Sequence, residues 1–171
     1  LPPGRQARPS VAAHVRQVTL QGVLPTSTHT TLAELIAEGA AALDAASSSA
    51  RLDAELLLCK ATSLSRTVLR TSPERRVAAD ECAAYPSLLE RRRRGEPVAY
   101  LLGTQDFWTL TLTVTPAVLV PRPETELVVE RALVHLPAGS TASALDLATG
   151  SGAIALAIAA ERPQVDMLAT D

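Results

Sequence analysis

From Thr31 onward the apolar positions fall into register. Leu32, Leu35, Ile36, Gly39 and Leu43 recur at three- and four-residue spacing, which predicts an amphipathic helix. Thr31 and Glu34 stand at the spacing of a capping box at its start. Ser47 to Ser49 form a polar break. A second helix is expected from about Ala50, with Leu52, Glu55, Leu56 and Cys59 on one face. A short third covers Leu64 to Arg70 and stops before Pro73. A fourth is expected from about Val77 to Arg94, capped by Gly95 and kinked or split by Pro86 near Tyr85. Residues 31–103 thus read as a small helical bundle, with no catalytic constellation in it.

The period then changes. Leu110, Leu112 and Val114 alternate with Thr109, Thr111, Thr113 and Thr115, the pattern of a half-buried strand. Pro116-Ala117 turns the chain, and Val118 to Val120 is expected to pair as a second strand. Residues 104–122 therefore read as a β-hairpin linker. Residues 123–171 read helix, strand, helix, strand: Glu124 to Leu136, Leu145 to Leu147, Ala153 to Glu161, and Val165 to Ala169. That order is a βαβ unit and the start of a parallel sheet. With two strands alone, Leu145, Leu147, Val165 and Leu168 are expected to be partly exposed.

Composition narrows the class. In 171 residues with 47% hydrophobic content there is material for a core, so the chain is not wholly disordered. A net charge of −2 argues against a duplex-binding protein. Residues 1–30 carry four of the twelve prolines and are expected to be disordered or extended. Two cysteines, Cys59 and Cys82, are read as reduced core thiols; they do not make a zinc site, and no metal ligands are expected. No apolar run reaches a membrane span and no secretory signal is visible, so a cytoplasmic protein is expected. The first residue, Leu1, is not Met and Asp171 follows directly on a strand, so both ends are expected to be cut from a longer chain.

The candidate chemistry sits in Ala148-Thr149-Gly150-Ser151-Gly152, between the first strand and the helix that follows. A helix N-terminus presents unpaired N–H groups and partial positive charge. A ligand reaches them only where side chains do not obstruct, and Gly150 and Gly152 remove two of these. Asp171 ends the next strand, which a βαβ unit places beside the loop, where a carboxylate can accept both hydroxyls of a ribose. Asp146, near the end of the first strand, is positioned to face a ligand's ammonium. Two other readings stay open. Gly150 to Ala155 also fits the G-x-G-x-x-A dinucleotide pattern, hence an NAD-dependent oxidoreductase. The loop is also compatible with a bare strand-to-helix turn.

Four stretches carry a resemblance. They are Arg51-Leu52-Asp53-Ala54-Glu55-Leu56-Leu57-Leu58, Gly95-Glu96-Pro97-Val98-Ala99-Tyr100-Leu101-Leu102-Gly103, Val120-Pro121-Arg122-Pro123-Glu124-Thr125-Glu126, and the run from Leu145 to Ala157. In this order they resemble the peptide-chain release factor glutamine methyltransferase (HemK/PrmC) family, over about residues 31–171. The resemblance implies a helical substrate-binding domain followed by the start of a class I, Rossmann-like domain that binds S-adenosylmethionine (SAM). It implies methylation of the side-chain amide nitrogen of a Gly-Gly-Gln glutamine in release factors. It assigns Ala148, Thr149, Gly150, Ser151 and Gly152 to the SAM loop and Asp171 to the ribose. A ribosomal-protein glutamine methyltransferase is the neighbouring alternative; the Pro-Arg-Pro-Glu-Thr-Glu wording of 121–126 favours the release factor enzyme.

Three positions depart from the family's pattern. Ala148 stands where Gly is usual, Thr109 replaces a usual Gly in the hairpin, and Pro86 falls where the family's helix is continuous. The family's Asn-Pro-Pro-Tyr motif, which the resemblance implies grips the glutamine NH2, is not in this sequence. No catalytic residue is therefore assigned within residues 1–171. Arg91-Arg92-Arg93-Arg94 reads either as a solvated helix end or as a docking patch in which Arg91 and Arg94 share a face.

Overall fold

A computed structural model describes residues 29–171. The segment to residue 28, with the short helix considered for 11–20, lies outside the described residues. The last two residues of that proline-bearing stretch are ordered: His29–Thr31 form β1. It pairs antiparallel with Arg76–Ala78, β2, through Thr30 opposite Val77.

The helical part contains α1 (Leu32–Leu43), α2 (Ala50–Thr62), α3 (Arg66–Thr71), α4 (Tyr85–Arg93) and α5 (Val98–Leu102). The capping box on α1 is complete. The Thr31 hydroxyl accepts from the Glu34 N–H at 3.3 Å, and the Glu34 carboxylate accepts from the Thr31 N–H at 2.9 Å. Leu32, Leu35, Ile36, Gly39 and Leu43 are all buried, as their spacing predicts. On α2 the buried face is Asp53, Ala54, Glu55, Leu57 and Leu58, while Leu52 is 41% exposed. Of the expected face, Glu55 is buried and Leu56 and Cys59 are half-buried, while Leu52 points away. Two carboxylates turn inward there because arginines from other segments meet them, which a hydrophobicity pattern does not register.

The long helix expected from Val77 to Arg94 is not formed. Val77 belongs to β2, residues 79–84 turn, and α4 begins at Tyr85 with Pro86 in its first turn. Proline is tolerated there because the first N–H groups of a helix have no intrahelical partner. The break expected near Tyr85 is therefore present as a helix start, and Pro86 kinks no helix. The end at Gly95 follows the sequence. Gly95 has φ +94°, its N–H reaches the Arg92 carbonyl at 2.9 Å, and the Glu96 N–H reaches the Arg91 carbonyl at 3.2 Å. That is a Schellman closure, which favours glycine at the left-handed position.

The hairpin differs from expectation in its partner. Leu110–Thr113, β4, pairs antiparallel with Thr104–Phe107, β3, and Val118 to Val120 is not a strand. The tight Trp108-Thr109 turn allows β3 to fold back, whereas Pro116 lacks the N–H a ladder needs. The left-handed residue of the turn is Trp108 (φ +57°), so Thr109 needs no glycine.

A short 3-10 turn at Pro123–Thr125 leads into α6 (Glu126–His135). Then come β5 (Ser143–Leu147), α7 (Ala153–Glu161) and β6 (Asp166–Thr170). β5 and β6 are parallel, with Leu145 opposite Leu168 and Leu147 opposite Thr170. There are two cores. One joins α1, α2, α4 and α5 through Leu32, Leu43, Leu57, Leu58, Tyr85 and Leu101. The other joins Phe107 and Leu112 of the hairpin to Val129 of α6 and to Ala153, Ala157 and Ile158 of α7. The hairpin's apolar face is thus part of the second core. Val165, just before β6, is buried, contrary to expectation; Leu145, Leu147 and Leu168 are exposed. Among the described residues, no helix is long and apolar enough to cross a membrane.

Candidate functional site

The loop from Ala148 to Gly152 leaves β5 and enters α7 through three left-handed residues: Ala148 (φ +59°), Gly150 (φ +55°) and Gly152 (φ +76°). Three left-handed residues within five make the backbone double back sharply between the strand and the helix. The Thr149 N–H donates to the Thr170 carbonyl at 3.0 Å, which anchors the loop to the neighbouring strand. The Gly150 N–H donates to Asp171 Oδ1 at 3.0 Å. The parallel register therefore brings Asp171, Gly150 and the start of α7 together, as the βαβ reading expects.

Asp146 braces the loop through one of its two carboxylate oxygens. Its Oδ2 accepts from the Thr149 hydroxyl at 2.7 Å and from the Ala155 N–H at 3.2 Å. It thus caps the first turn of α7 and pins Thr149, a role its sequence position did not announce. A carboxylate near a helix N-terminus is favourable on electrostatic grounds as well. Ser151 and Gly152 are half-buried, while Ala148, Gly150 and Asp171 are exposed.

The loop has the properties a nucleoside ligand needs. No atom lies within 4 Å of a Cβ built on Gly150, so the space over it is open. The N–H groups of Ser151, Ala153 and Ile154 have no hydrogen-bond partner among the described residues. Asp171 stands at the edge with an accessible carboxylate. These residues fit an adenosine-bearing cofactor. Ala148 is the strained member, since a side chain at positive φ costs about 1–2 kcal/mol.

The helical part carries its charges inward. Asp53, only 4% exposed, accepts from the Ser47 hydroxyl at 2.7 Å, the Ser49 hydroxyl at 3.0 Å and Arg92 Nε at 2.8 Å. Burial alone would raise its pKa; the Arg92 and serine hydrogen bonds outweigh this and hold it below the ordinary value. Glu55 meets Arg66 at 2.9 Å, Arg51 at 3.5 Å and Arg70 at 3.7 Å, and hydrogen bonding to Arg66 leads in lowering its pKa. These two carboxylates account physically for the Asp-Ala-Glu spacing at 53–55. The arginine run is likewise spoken for. Arg91 pairs with Glu96, Arg92 with Asp53, and Arg93 and Arg94 both with Glu90. Arg91 and Arg94 stay largely exposed in these pairs, with side chains 49% and 74% accessible. Cys59 and Cys82 are free, part-buried thiols whose pKa values burial pushes up.

Comparison with known proteins adds a second line of observation. The family model described as the PrmC N-terminal domain matches residues 34–103. The chain is 48% identical over 126 residues to the release factor glutamine methyltransferase of Escherichia coli (strain K12), covering 74% of this chain and 45% of that protein. It is 51% identical over 121 residues to the enzyme of that name from Xylella fastidiosa (strain Temecula1 / ATCC 700964), covering 71% and 44%. With the one from Coxiella burnetii it shares 48% over 129 residues, covering 75% and 47%. The chain spans a little under half the length of the curated relatives it matches. On these similarities the chain belongs to the PrmC/HemK family of release factor glutamine methyltransferases.

Proposed function

We propose that residues 31–171 are the substrate-recognition part and the first half of the cofactor site of a SAM-dependent methyltransferase, acting on the glutamine amide of the Gly-Gly-Gln motif in release factors. The observation that carries the reading is the junction of Gly150 with Asp171 at the head of α7, in a chain 48% identical over 126 residues to an enzyme of that name. The unit β5–α7–β6 is read as the start of a Rossmann-like methyltransferase domain, and the cytoplasm as its compartment.

SAM, when bound, supplies a sulfonium methyl group to an attacking nucleophile. The residues of this chain bind and orient. Asp171 is suited to accept the ribose hydroxyls, and Gly150, Ser151 and Gly152 give close approach to the backbone. Thr149 and Asp146 keep the loop in shape. An amide nitrogen is a weak nucleophile because its lone pair is delocalised, so orientation of the NH2 group is the main demand of the chemistry. The sequence from Leu1 to Asp171 contains no Asn-Pro-Pro-Tyr to meet that demand. The chain by itself is therefore expected to transfer no methyl group.

The test is retention of radiolabelled SAM by the purified chain. S-adenosylhomocysteine should displace the label, NAD should not, and Gly150→Val and Asp171→Ala should each abolish retention. Displacement by NAD, or retention that survives both substitutions, would overturn the reading. Methyl incorporation into purified release factor above a no-enzyme control would overturn the expected inactivity.

A further inference from the structure

A second concavity shares no residue with the glycine loop. It is a surface groove of about 550 Å3 with Val98 and Tyr100 of α5 on one side and Leu119, Val120 and Arg122 on the other. The segment after the hairpin is fastened there by the Tyr100 hydroxyl, which donates to the Val118 carbonyl at 2.6 Å.

Three features at the groove are unsatisfied among the described residues. Leu119 is 76% exposed. The backbone groups of Leu119 and Val120 make no hydrogen bond among the described residues. Arg122 is exposed, extended (φ −97°, ψ 145°), and absent from every ion pair among the described residues. The charged side chains of the lining are Arg92 and Arg122, with no carboxylate. Arg92 is neutralised by Asp53 from behind, so the unspent charge of the groove is the guanidinium of Arg122.

An exposed apolar anchor, unpaired backbone groups and a free cation in one short run are the requirements of a site for extended peptide. We infer that this groove docks an extended segment of the protein substrate that carries an apolar residue followed or preceded by an acidic one. The apolar side chain packs on Leu119, the backbone pairs with that of residues 119–120, and the carboxylate meets Arg122. The inference rests on the reading that the substrate is a protein, and it adds where and by what chemistry that protein is held.

The experiment measures binding of the full 171-residue chain to a purified bacterial release factor by fluorescence anisotropy, at low and at high salt. Circular dichroism of each variant checks the fold, and SAM retention is recorded in parallel. Leu119→Ser and Arg122→Glu should each weaken binding about tenfold, the scale of losing one anchoring side chain. The Arg122→Glu loss should shrink at high salt, since exposed charges are screened. Arg131→Glu, exposed on α6 and outside the groove, should change binding less than about twofold by the same screening argument. Release factor binding that both groove variants leave intact would overturn the docking site while leaving the enzyme reading in place. A chain that retains SAM but does not bind release factor would also overturn it. So would single-stranded RNA bound through Arg122, or self-association lost in Leu119→Ser, each of which assigns the groove to another occupant.

Discussion

Gly39 on α1 lies directly beneath the phenol of Tyr85 on α4. A Cβ at position 39 would overlap the Tyr85 hydroxyl oxygen and stand 3.0 Å from Cζ and 3.1 Å from the Ala54 Cβ. The buried hydroxyl donates between the Leu35 carbonyl, at 3.2 Å, and the Ala54 carbonyl, at 3.3 Å. One absent side chain thus lets α4 reach the backbones of α1 and α2 together, and burial raises the pKa of the phenol.

Gly39→Ala should destabilise the helical part by about 2 kcal/mol through overpacking. Tyr85→Phe should cost about 1 kcal/mol, because both carbonyls keep their helical partners. In the double variant the oxygen that clashes is gone, so the combined loss should be smaller than the sum. Urea unfolding of the four chains measures the coupling, and strict additivity would show that the two residues do not press on each other.

The Asp53–Arg92 pair should make the helical part acid-sensitive. The folded pKa of Asp53 is lowered, so its stabilisation is fully present above the unfolded value of ~3.9. It is lost as pH falls from there through the folded value. Asp53→Asn should flatten this part of the pH–stability profile. Asp53→Ala should cost about 3 kcal/mol near neutrality by stranding a largely buried guanidinium. Thermal melts from pH 7 down to pH 3 would show the difference, and an unchanged acid limb in Asp53→Asn would refute it.

Ala148→Gly should stabilise the chain. Relief of about 1–2 kcal/mol of left-handed strain is offset by about 0.5–1 kcal/mol of added backbone freedom in the unfolded state, leaving a small net gain. The check is the melting temperature, with the neighbouring Thr149→Gly as a contrast that should lower it by removing the hydroxyl bonded to Asp146. A lower melting temperature in Ala148→Gly would mean that the methyl group packs usefully.

Trp108, the sole tryptophan, reports on the join between hairpin and second core. Its indole N–H donates to Glu161 at 2.8 Å and its backbone N–H to Glu126 at 2.8 Å. Glu161→Ala should red-shift its emission and cost about 1 kcal/mol, the net value of one hydrogen bond. Glu161→Gln should keep most of both, since the amide oxygen still accepts. An emission maximum indifferent to Glu161→Ala would place the indole elsewhere in solution.

Local rules were enough for α1, its capping box, the glycine closures, the order of β5, α7 and β6, and the meeting of Asp171 with the glycine loop. Each depends on residues a few positions apart, or on a βαβ connection that physics allows in essentially one way. Other features were settled only by distant parts of the chain. Asp53 and Glu55 turn inward because Arg92 of α4 and Arg66 of α3, on other helices, arrive to pair with them. Val77 becomes strand because residues 29–31 supply an edge, and β4 chooses Thr104–Phe107 because the turn at Trp108 returns the chain more tightly than Pro116 permits. Hydrophobic period records which residues avoid water. It carries no record of which charged group will meet its partner or which edge a strand will find, and those choices were made in three dimensions by hydrogen bonding and burial.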